Sequence, residues 1–481
     1  MTCDYNLRLY QNESIAELRK NMKLGINQMI LCAPTGAGKT VMFSYMVSKA
    51  VSNGKRCLII TDRIELISQA GGTLSNFGLQ PVEIKAGKKL KSTNAMLYTA
   101  MAQTLSRRMD QQEYLDLFEK LDLIIIDEGH KQSFNSIIAK IPEKCFVIAA
   151  TATPFRDKNQ VSLHEFYKAI VEVVKISKLV DDGFLAIPET FGVKVDLSGI
   201  RISKGDYDEA QVAARYSETK LFHGVYENYQ RIASGKKALI FASNVSSSKE
   251  LVEDFKEKGL PIEHLDANTP TAERKRILKW FKETQGAMLS NVGILNAGFD
   301  EPTIEVVILY RATKSLPLFL QMCGRGSRTI PGIKDKFIIM DFGNNVREHG
   351  FWEQDRVWSL IKKKKRDGIP PVKDCPSCFA MLPASVPECK YCGHIFEKTE
   401  KEKQEDVIAE LQQLSYKQIQ DQIKTADFSK LEQIALAKGY KKTWIFYHLK
   451  TEEDLRAYAK FKNYHPKWVE HQISKREEEN A

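Results

Sequence analysis

At 481 residues, 43% of them hydrophobic, the chain is too long for one hydrophobic core and calls for two large domains with smaller attachments. Its formal charge of +10 leans toward a polyanionic partner, although solvated surface lysines can also produce such an excess. The text has no run of about 18 apolar residues, and MTCDYNLRLYQNES lacks the apolar centre of a signal peptide; the expectation is a soluble, cytoplasmic protein with no membrane partner, in a bacterium or in a host cell if a virus encodes it.

Short, near-continuously apolar runs recur through the first third: QMILCA, RCLIIT, AMLYTA, LDLIIID and CFVIAAT. Polar-apolar text of helical character separates them, which predicts a parallel sheet covered on both faces. Directly after the first run comes APTGAGKT, Ala33 to Thr40. A glycine-rich loop between strand and helix, Pro34 to Thr40, lets the backbone N–H groups of Thr35, Gly36, Ala37, Gly38 and Lys39 converge on phosphate oxygens. Lys39 would neutralise the β- and γ-phosphates, and Thr40 would place its hydroxyl on Mg²⁺. Later in the same predicted sheet, IIIDEGH puts Asp127 and Glu128 at a buried strand end, where carboxylates are costly without a cation. Asp127 is the candidate metal holder, and Glu128 the candidate base for the attacking water.

A second series begins after about residue 186: KALIFAS, IEHLDA, AMLSN, EVVILY and KFIIMDF. Two tandem doubly wound α/β domains are expected, with ligands beyond the carboxyl ends of the strands. QMCGRGSR, Gln321 to Arg328, lies in the second domain. Arg325 and Arg328 are three apart and are expected on one side of a helical turn. If they cross an interdomain cleft they would supply charge to the departing γ-phosphate, worth about 10³–10⁵ in rate.

The ordered set LRLYQ, APTGAGKT, TDRIELISQ, TAMAQT, DEGH, TATPFR, LIFASN, NAGFDEP and QMCGRGSR resembles the superfamily 2 DEAD/DEAH-like helicases and translocases over roughly residues 5–345. Within that superfamily it is most similar to the RadD-like and type III restriction-type bacterial and phage helicases, through LVDDGFLAIPE, RATKSLPLFLQMCGRGSR and the trailing cysteines. The resemblance implies two RecA-like domains and an ATP-hydrolysing motor. It gives Gln11 to the adenine edge, Gly298 and Asp300 to nucleotide coupling, and Gln321, Arg325 and Arg328 to the γ-phosphate. It gives Arg63, Thr99 and Gln103 in the first domain, and Ser243 and Asn244 in the second, to the nucleic-acid backbone. Such donors position a strand without reading its sequence. DEGH, TATP and QMCGRGSR differ from the RNA-directed group, so the expected partner is DNA, whether single-stranded, forked or branched, in replication, recombination or repair. An RNA helicase and an ATP-gated DNA-binding adaptor without unwinding remain the competing readings.

Of nine cysteines, four form Cys375-x2-Cys378-x10-Cys389-x2-Cys392. Two such knuckles can hold Zn²⁺ between four thiolates, a closed structural site. Beyond them the text turns charged and helical. Leu431, Ala435, Lys438, Tyr440, Trp444 and Ile445 then repeat as Leu455, Ala459, Lys462, Tyr464, Trp468 and Val469, two copies of a small helical hairpin. The expected organisation is a RecA-like ATP-binding domain (1–185), a RecA-like C-terminal domain (186–360), a basic linker (361–372), a zinc ribbon (373–396), a charged helical linker (397–430) and tandem helical repeats (431–478). Ribbon and tail are the surfaces expected to take a protein partner.

Overall fold

A computed structural model describes residues 7–62, 74–75, 77–90, 94–156, 160–193, 195–203, 205–218, 221–295, 299–361, 371–396, 428–429, 431–432, 445–446, 448–449 and 451–479. Arg63, Gly298, most of the basic linker, the charged linker before residue 428, and Tyr440 and Trp444 lie outside them. The chain divides into two compact units, Met1–His394 and Ile395–Ala481.

The first unit holds two parallel sheets. One contains β1 (Gln28–Cys32), β2 (Cys57–Thr61), β3 (Val82–Ile84), β4 (Leu97–Met101), β5 (Leu123–Asp127), β6 (Phe146–Thr151) and β7 (Ala169–Val171), in the order β3-β4-β2-β5-β6-β1-β7. Branched aliphatic side chains suit a strand buried on both faces, and β2 shows this, being buried along its whole length. Register brings the chemistry to one edge: Cys32 pairs with Thr151 and Asp127 with Ala150, so the segments that follow β1, β5 and β6 leave the sheet side by side. The helix Lys39–Ser52 follows β1 and buries Met42, Phe43, Met46 and Val47. Each such side chain contributes about 1.5–3 kcal/mol.

The second sheet is built from β8 (Ile187–Gly192), β11 (Ala238–Ala242), β12 (Ile262–Leu265), β13 (Met288–Asn291), β14 (Val306–Tyr310) and β15 (Lys336–Asp341), ordered β12-β13-β11-β14-β15-β8. A short hairpin, β9 (Ile202–Ser203) with β10 (Asp206–Tyr207), precedes β11. All ten strands foreseen from apolar runs are present. The sequence did not announce β3 and β7, which are three residues each, or β8, whose Pro188 and Glu189 interrupt its apolar text. These are tandem RecA-like domains. They share one apolar cluster in which Ile125, Leu185, Phe319 and Phe337 are all buried.

The four-cysteine module carries β16 (Val372–Asp374) and β17 (Met381–Pro383) and is seated on the second lobe. Ala380 bridges Phe191 at the end of β8, Met381 sulfur lies against Gly192, and Arg347 pairs with Asp374.

The second unit, taken by itself, ends in a helical pair, Glu452–Phe461 and Lys467–Glu479. Thr451 caps the first of these through Asp454 N–H, and Asp454 returns the bond to Thr451 N–H. Phe428, Leu431, Ile445, Leu455, Tyr458 and Val469 form its core, with Trp468 packed against them, so this tryptophan serves the core. No helix among the described residues is long and apolar enough to cross a membrane.

Candidate nucleotide site between the lobes

The loop after β1 turns tightly because Gly36 and Gly38 adopt φ of +91° and +79°, which side-chain-bearing residues rarely take. Space enforces the choice as well. A Cβ on Gly36 would lie 2.5 Å from Arg328 Nη1, and one on Gly38 would lie 2.6 Å from Gln11 Nε2. Gln11 donates to Ala37 O (3.0 Å) while its Oε1 accepts Arg8 N–H (3.0 Å), and Tyr10 Oη donates to the same Ala37 carbonyl at 2.9 Å. The first helix thus grips the loop from a distance of 26 residues in sequence. Lys39 Nζ reaches back to Ala33 O at 3.0 Å and Pro34 O at 3.3 Å. Burial pushes the Lys39 ammonium down from its usual range; Glu128 and Asp127 oppose the shift, and Arg328 adds to it. Thr40 opens the helical segment beside Lys39.

Asp127 closes β5, and Glu128 follows it with φ +53°, a conformation costing about 1–2 kcal/mol for a residue with a Cβ. The turn is held from several sides. Tyr167 Oη donates to Gly129 O at 3.0 Å, and Arg156 Nε to His130 O at 2.6 Å. A Cβ on Gly129 would fall 2.5 Å from Ala149 Cβ. Burial and the neighbouring Glu128 charge push the Asp127 carboxyl up to about 7. Burial also presses Glu128 upward, but His130, Lys39, Lys131 and the hydrogen bond from Thr151 Oγ1 (3.1 Å) outweigh it and hold the carboxyl below its usual range. His130 is driven down to about 4 by burial, so it is neutral near pH 7, and its Nδ1 meets Thr151 Oγ1 at 2.7 Å. Two adjacent buried carboxylates with opposed shifts form an environment that a divalent cation such as Mg²⁺ would relieve, and the donor chemistry of Asp127 fits one.

The second lobe contributes the far wall. The helix Leu316–Cys323 buries Gln321 and ends at Gly324, so Arg325 and Arg328 lie beyond it and not on a helical turn. The reason is close approach: a Cβ on Gly324 would sit 2.9 Å from Thr35 Cβ of the phosphate loop, and Gly326 presses on Phe337 and Val307. Arg325 Nη1 donates to Phe299 O. Arg328 Nε pairs with Asp300 at 2.9 Å, while its Nη1 is buried beside Gly36 without a hydrogen-bond acceptor among the described residues. An orphaned guanidinium N–H facing a glycine cradle fits a phosphate oxygen. Leu185, between the two sheets, bridges Arg328, and Ala186 N–H donates to Ser327 O at 2.8 Å.

Four of the five residues expected to contact a strand, Thr99, Gln103, Ser243 and Asn244, lie among the described residues. Thr99 is buried within β4. Gln103 lies exposed in the helical turn after β4. Ser243 is buried and donates to Tyr310 O at 3.2 Å. Asn244 caps the helix Val245–Glu257 through Ser247 N–H. Sequence reasoning gave no role to Arg156 or Lys334. Lys334 is buried and donates to Gly326 O (2.7 Å) and Pro302 O (3.0 Å), fixing the arginine turn. A buried lysine outside any motif leaves no pattern to read.

The cysteines meet the geometric demand of a metal centre. Cys375 Sγ and Cys392 Sγ are 3.5 Å apart, Cys378 Sγ and Cys389 Sγ 3.6 Å, and all four sulfurs lie within 4.8 Å of one another. Tetrahedral Zn²⁺ with bonds of about 2.3 Å requires S···S near 3.8 Å. The remaining described cysteines, Cys32, Cys57, Cys145 and Cys323, are free and buried.

Comparison with known proteins agrees with this geometry. Residues 4–156 match the family model described as the type III restriction enzyme res subunit, and 220–329 the helicase conserved C-terminal domain. The chain is 30% identical over 426 residues to a 51.5 kDa protein of a Lactococcus phage, covering 86% of each chain. It is 29% identical over 357 residues to a Saccharomyces cerevisiae protein named as the ATP-dependent helicase IRC3, covering 70% of this chain and 51% of that one. The chain therefore spans nearly all of the phage relative but about half of the yeast one. A solved fragment described as an HsdR subunit of a type I restriction enzyme from Vibrio vulnificus matches in fold with a TM-score of 0.57 at 23% identity, over 71% of this chain and 65% of that one.

Proposed function

This chain belongs to the superfamily 2 helicase-like ATPases, in the branch related to restriction enzymes and translocases, and from that premise we propose that it is a DNA motor whose hydrolysis of ATP requires both lobes. The observation that carries the proposal is the contact of the second lobe's arginine turn with the phosphate loop of the first, Arg328 on Gly36 and Gly324 on Thr35.

The residues divide the work. Loop N–H groups and Lys39 bind the phosphates, Arg328 faces the departing γ-phosphate, and Gln11 holds the loop and faces the base. Thr40 and Asp127 would hold Mg²⁺, which when bound would neutralise phosphate charge. Glu128, kept ionised by Lys39, Lys131 and the hydrogen bond from Thr151, accepts the proton of the attacking water. Because the Thr151 hydroxyl joins Glu128 to His130 and to Thr153 N–H (3.1 Å), a shift in the segment after β6 moves the base. Arg325, bonded to Phe299 O, and Arg328, bonded to Asp300, tie the phosphate end to the loop that precedes β14. Closing the lobes on ATP and releasing them after hydrolysis would then advance one lobe along a strand.

The DNA reading rests on the restriction-enzyme likeness of the first lobe; a role close to the RadD-like helicases in replication, recombination or repair rests on the sequence motifs LVDDGFLAIPE and RATKSLPLFLQMCGRGSR alone. The test is ATPase rate on single-stranded, duplex and forked DNA and on RNA at one salt concentration. DNA should stimulate turnover and RNA should not. Glu128→Gln should lower the stimulated rate by at least about 100-fold, the scale of general-base catalysis, while DNA binding persists. Stimulation by RNA alone would replace DNA with RNA as the substrate. Unchanged turnover in Glu128→Gln would remove the mechanism.

A further inference from the structure

The two cysteine knuckles share a backbone path but not a residue. In the second, Gly393 follows Cys392 with φ +71°, and its N–H donates to Cys389 O at 2.8 Å. In the first, the same place after Cys378 is held by Phe379 with φ +63°, its N–H donating to Cys375 O at 2.8 Å. The chain therefore carries its own control. Glycine is the unstrained choice at this turn, and one knuckle has a bulky aromatic instead.

The ring is not spent on the module's interior. Phe379 is 49% exposed. It walls a cavity of about 440 Å³ whose other sides are Phe191 and Gly192 at the end of β8, Met340 and Phe342 around the end of β15, and Arg231 on the helix Leu221–Ala233. Arg231 Cζ stands 4.5 Å over the Phe379 ring. The guanidinium is aimed by Asn228, whose Oδ1 accepts from Arg231 Nη2 at 2.6 Å while its Nδ2 donates to Gly224 O at 2.6 Å. Asn228 is thereby committed on both sides; Asp341, also in the wall, is occupied in accepting from Gly343 N–H, Asn345 Nδ2 and Val346 N–H, and the rest is largely apolar. A ligand would be met by a π-face and a cation, with little to read its hydrogen-bonding edge.

The location narrows the ligand further. Both lobe-2 strands that open into the cavity are parallel to β11, and the order β11-β14-β15-β8 puts it on the edge where Ser243 and Asn244 leave β11. Three strand spacings, about 14 Å, separate the two places, a reach of a few nucleotides. We propose that Phe379 and Arg231, with the cavity they wall, form a stacking site for one unpaired nucleobase of the strand on which the motor moves. This rests on the nucleic-acid motor reading above. A site that holds any base by its face suits a motor that must not stop at particular sequences. It also gives the ribbon a purpose beyond folding itself: it carries the platform and, docked on β8, moves with the second lobe.

The test is binding of the full-length, zinc-loaded protein to a short single strand in which one abasic nucleotide is walked through every position. For the wild type, one register should cost about ten-fold in affinity, within the range of a lost base–aromatic stack. Phe379→Gly, the residue nature uses in the other knuckle, should retain one equivalent of zinc, bind the intact strand about ten-fold more weakly and be indifferent to the abasic position. Phe379→Leu, which keeps the bulk and loses the π-face, should behave like the glycine variant, and Phe379→Trp like the wild type. If Phe379→Gly loses zinc, the Leu and Trp variants decide. Wild-type affinity in Phe379→Leu, or equal abasic penalties in both, overturns the site while strand-stimulated ATPase stands. A wild-type protein that binds no strand at all sinks this inference together with the motor reading.

Discussion

Lys334 shows how much of the site rests on a residue that no motif announces. Its ammonium is buried under the arginine turn and donates to the carbonyls of Gly326 and Pro302. Burial lowers its pKa from the ordinary lysine value to about 7, against weaker raising by Glu305. The unfolded chain therefore binds more protons than the folded one between pH 7 and the normal lysine range. Folding carries the full penalty below pH 7 and is relieved as pH rises through that window. Lys334→Met removes the titration, so melting curves at pH 7 and pH 9.5 should show the wild type gaining stability relative to the variant as pH rises. Parallel pH profiles would contradict the burial argument. At this scale the sequence is readable where chemistry imposes a pattern. Gly36, Gly38, Lys39, Asp127 and Glu128 were legible because phosphate and cation demand them together. Lys334, Arg156 and the strained Phe379 were not, because their roles come from neighbours distant in the chain.

At the scale of elements, buried parallel strands were plain from their apolar runs, whereas β8 was hidden by Pro188 and Glu189, tolerated because β8 is an edge strand. The expected helical turn for Arg325 and Arg328 did not form, because the helix stops at Gly324 where Thr35 approaches. That boundary is set by tertiary contact and leaves only glycines as its trace. The cysteine module was legible through spacing alone. Its seat on β8 was not, since Phe191, Gly192, Ala380 and Met381 carry no signature of one another. The Cys375 thiol is held down at about 6, backbone N–H groups of Cys378 and Ser377 overcoming burial, so one thiolate is ready near neutral pH. Metal analysis of protein purified without added zinc should find close to one equivalent. Stripping the zinc should loosen the module and raise amide exchange in β16 and β17, with little change in β1 or β5. Exchange that is unaltered in β16 and β17 after stripping would show that the module holds its fold without metal.

For the whole molecule, the order of motifs was enough to expect two tandem lobes, and both sheets formed as parallel α/β layers. What the sequence could not convey is how intimately the lobes meet at the phosphate loop. That contact depends on the absence of side chains at Gly36 and Gly324, which lie far apart in the chain. Under the proposed function it would make a nucleotide pocket on one lobe depend on the other for completion. A motor of this kind should keep ATP affinity and lose turnover when the far side is removed, because Lys39 and the loop amides suffice for binding while the departing phosphate needs Arg328. The most direct measurement is therefore strand-stimulated ATP hydrolysis by Arg328→Ala beside a direct measurement of ATP binding. The account predicts a loss of about 10³-fold or more in turnover, with ATP affinity changed far less. Hydrolysis at the wild-type rate in that variant would contradict it.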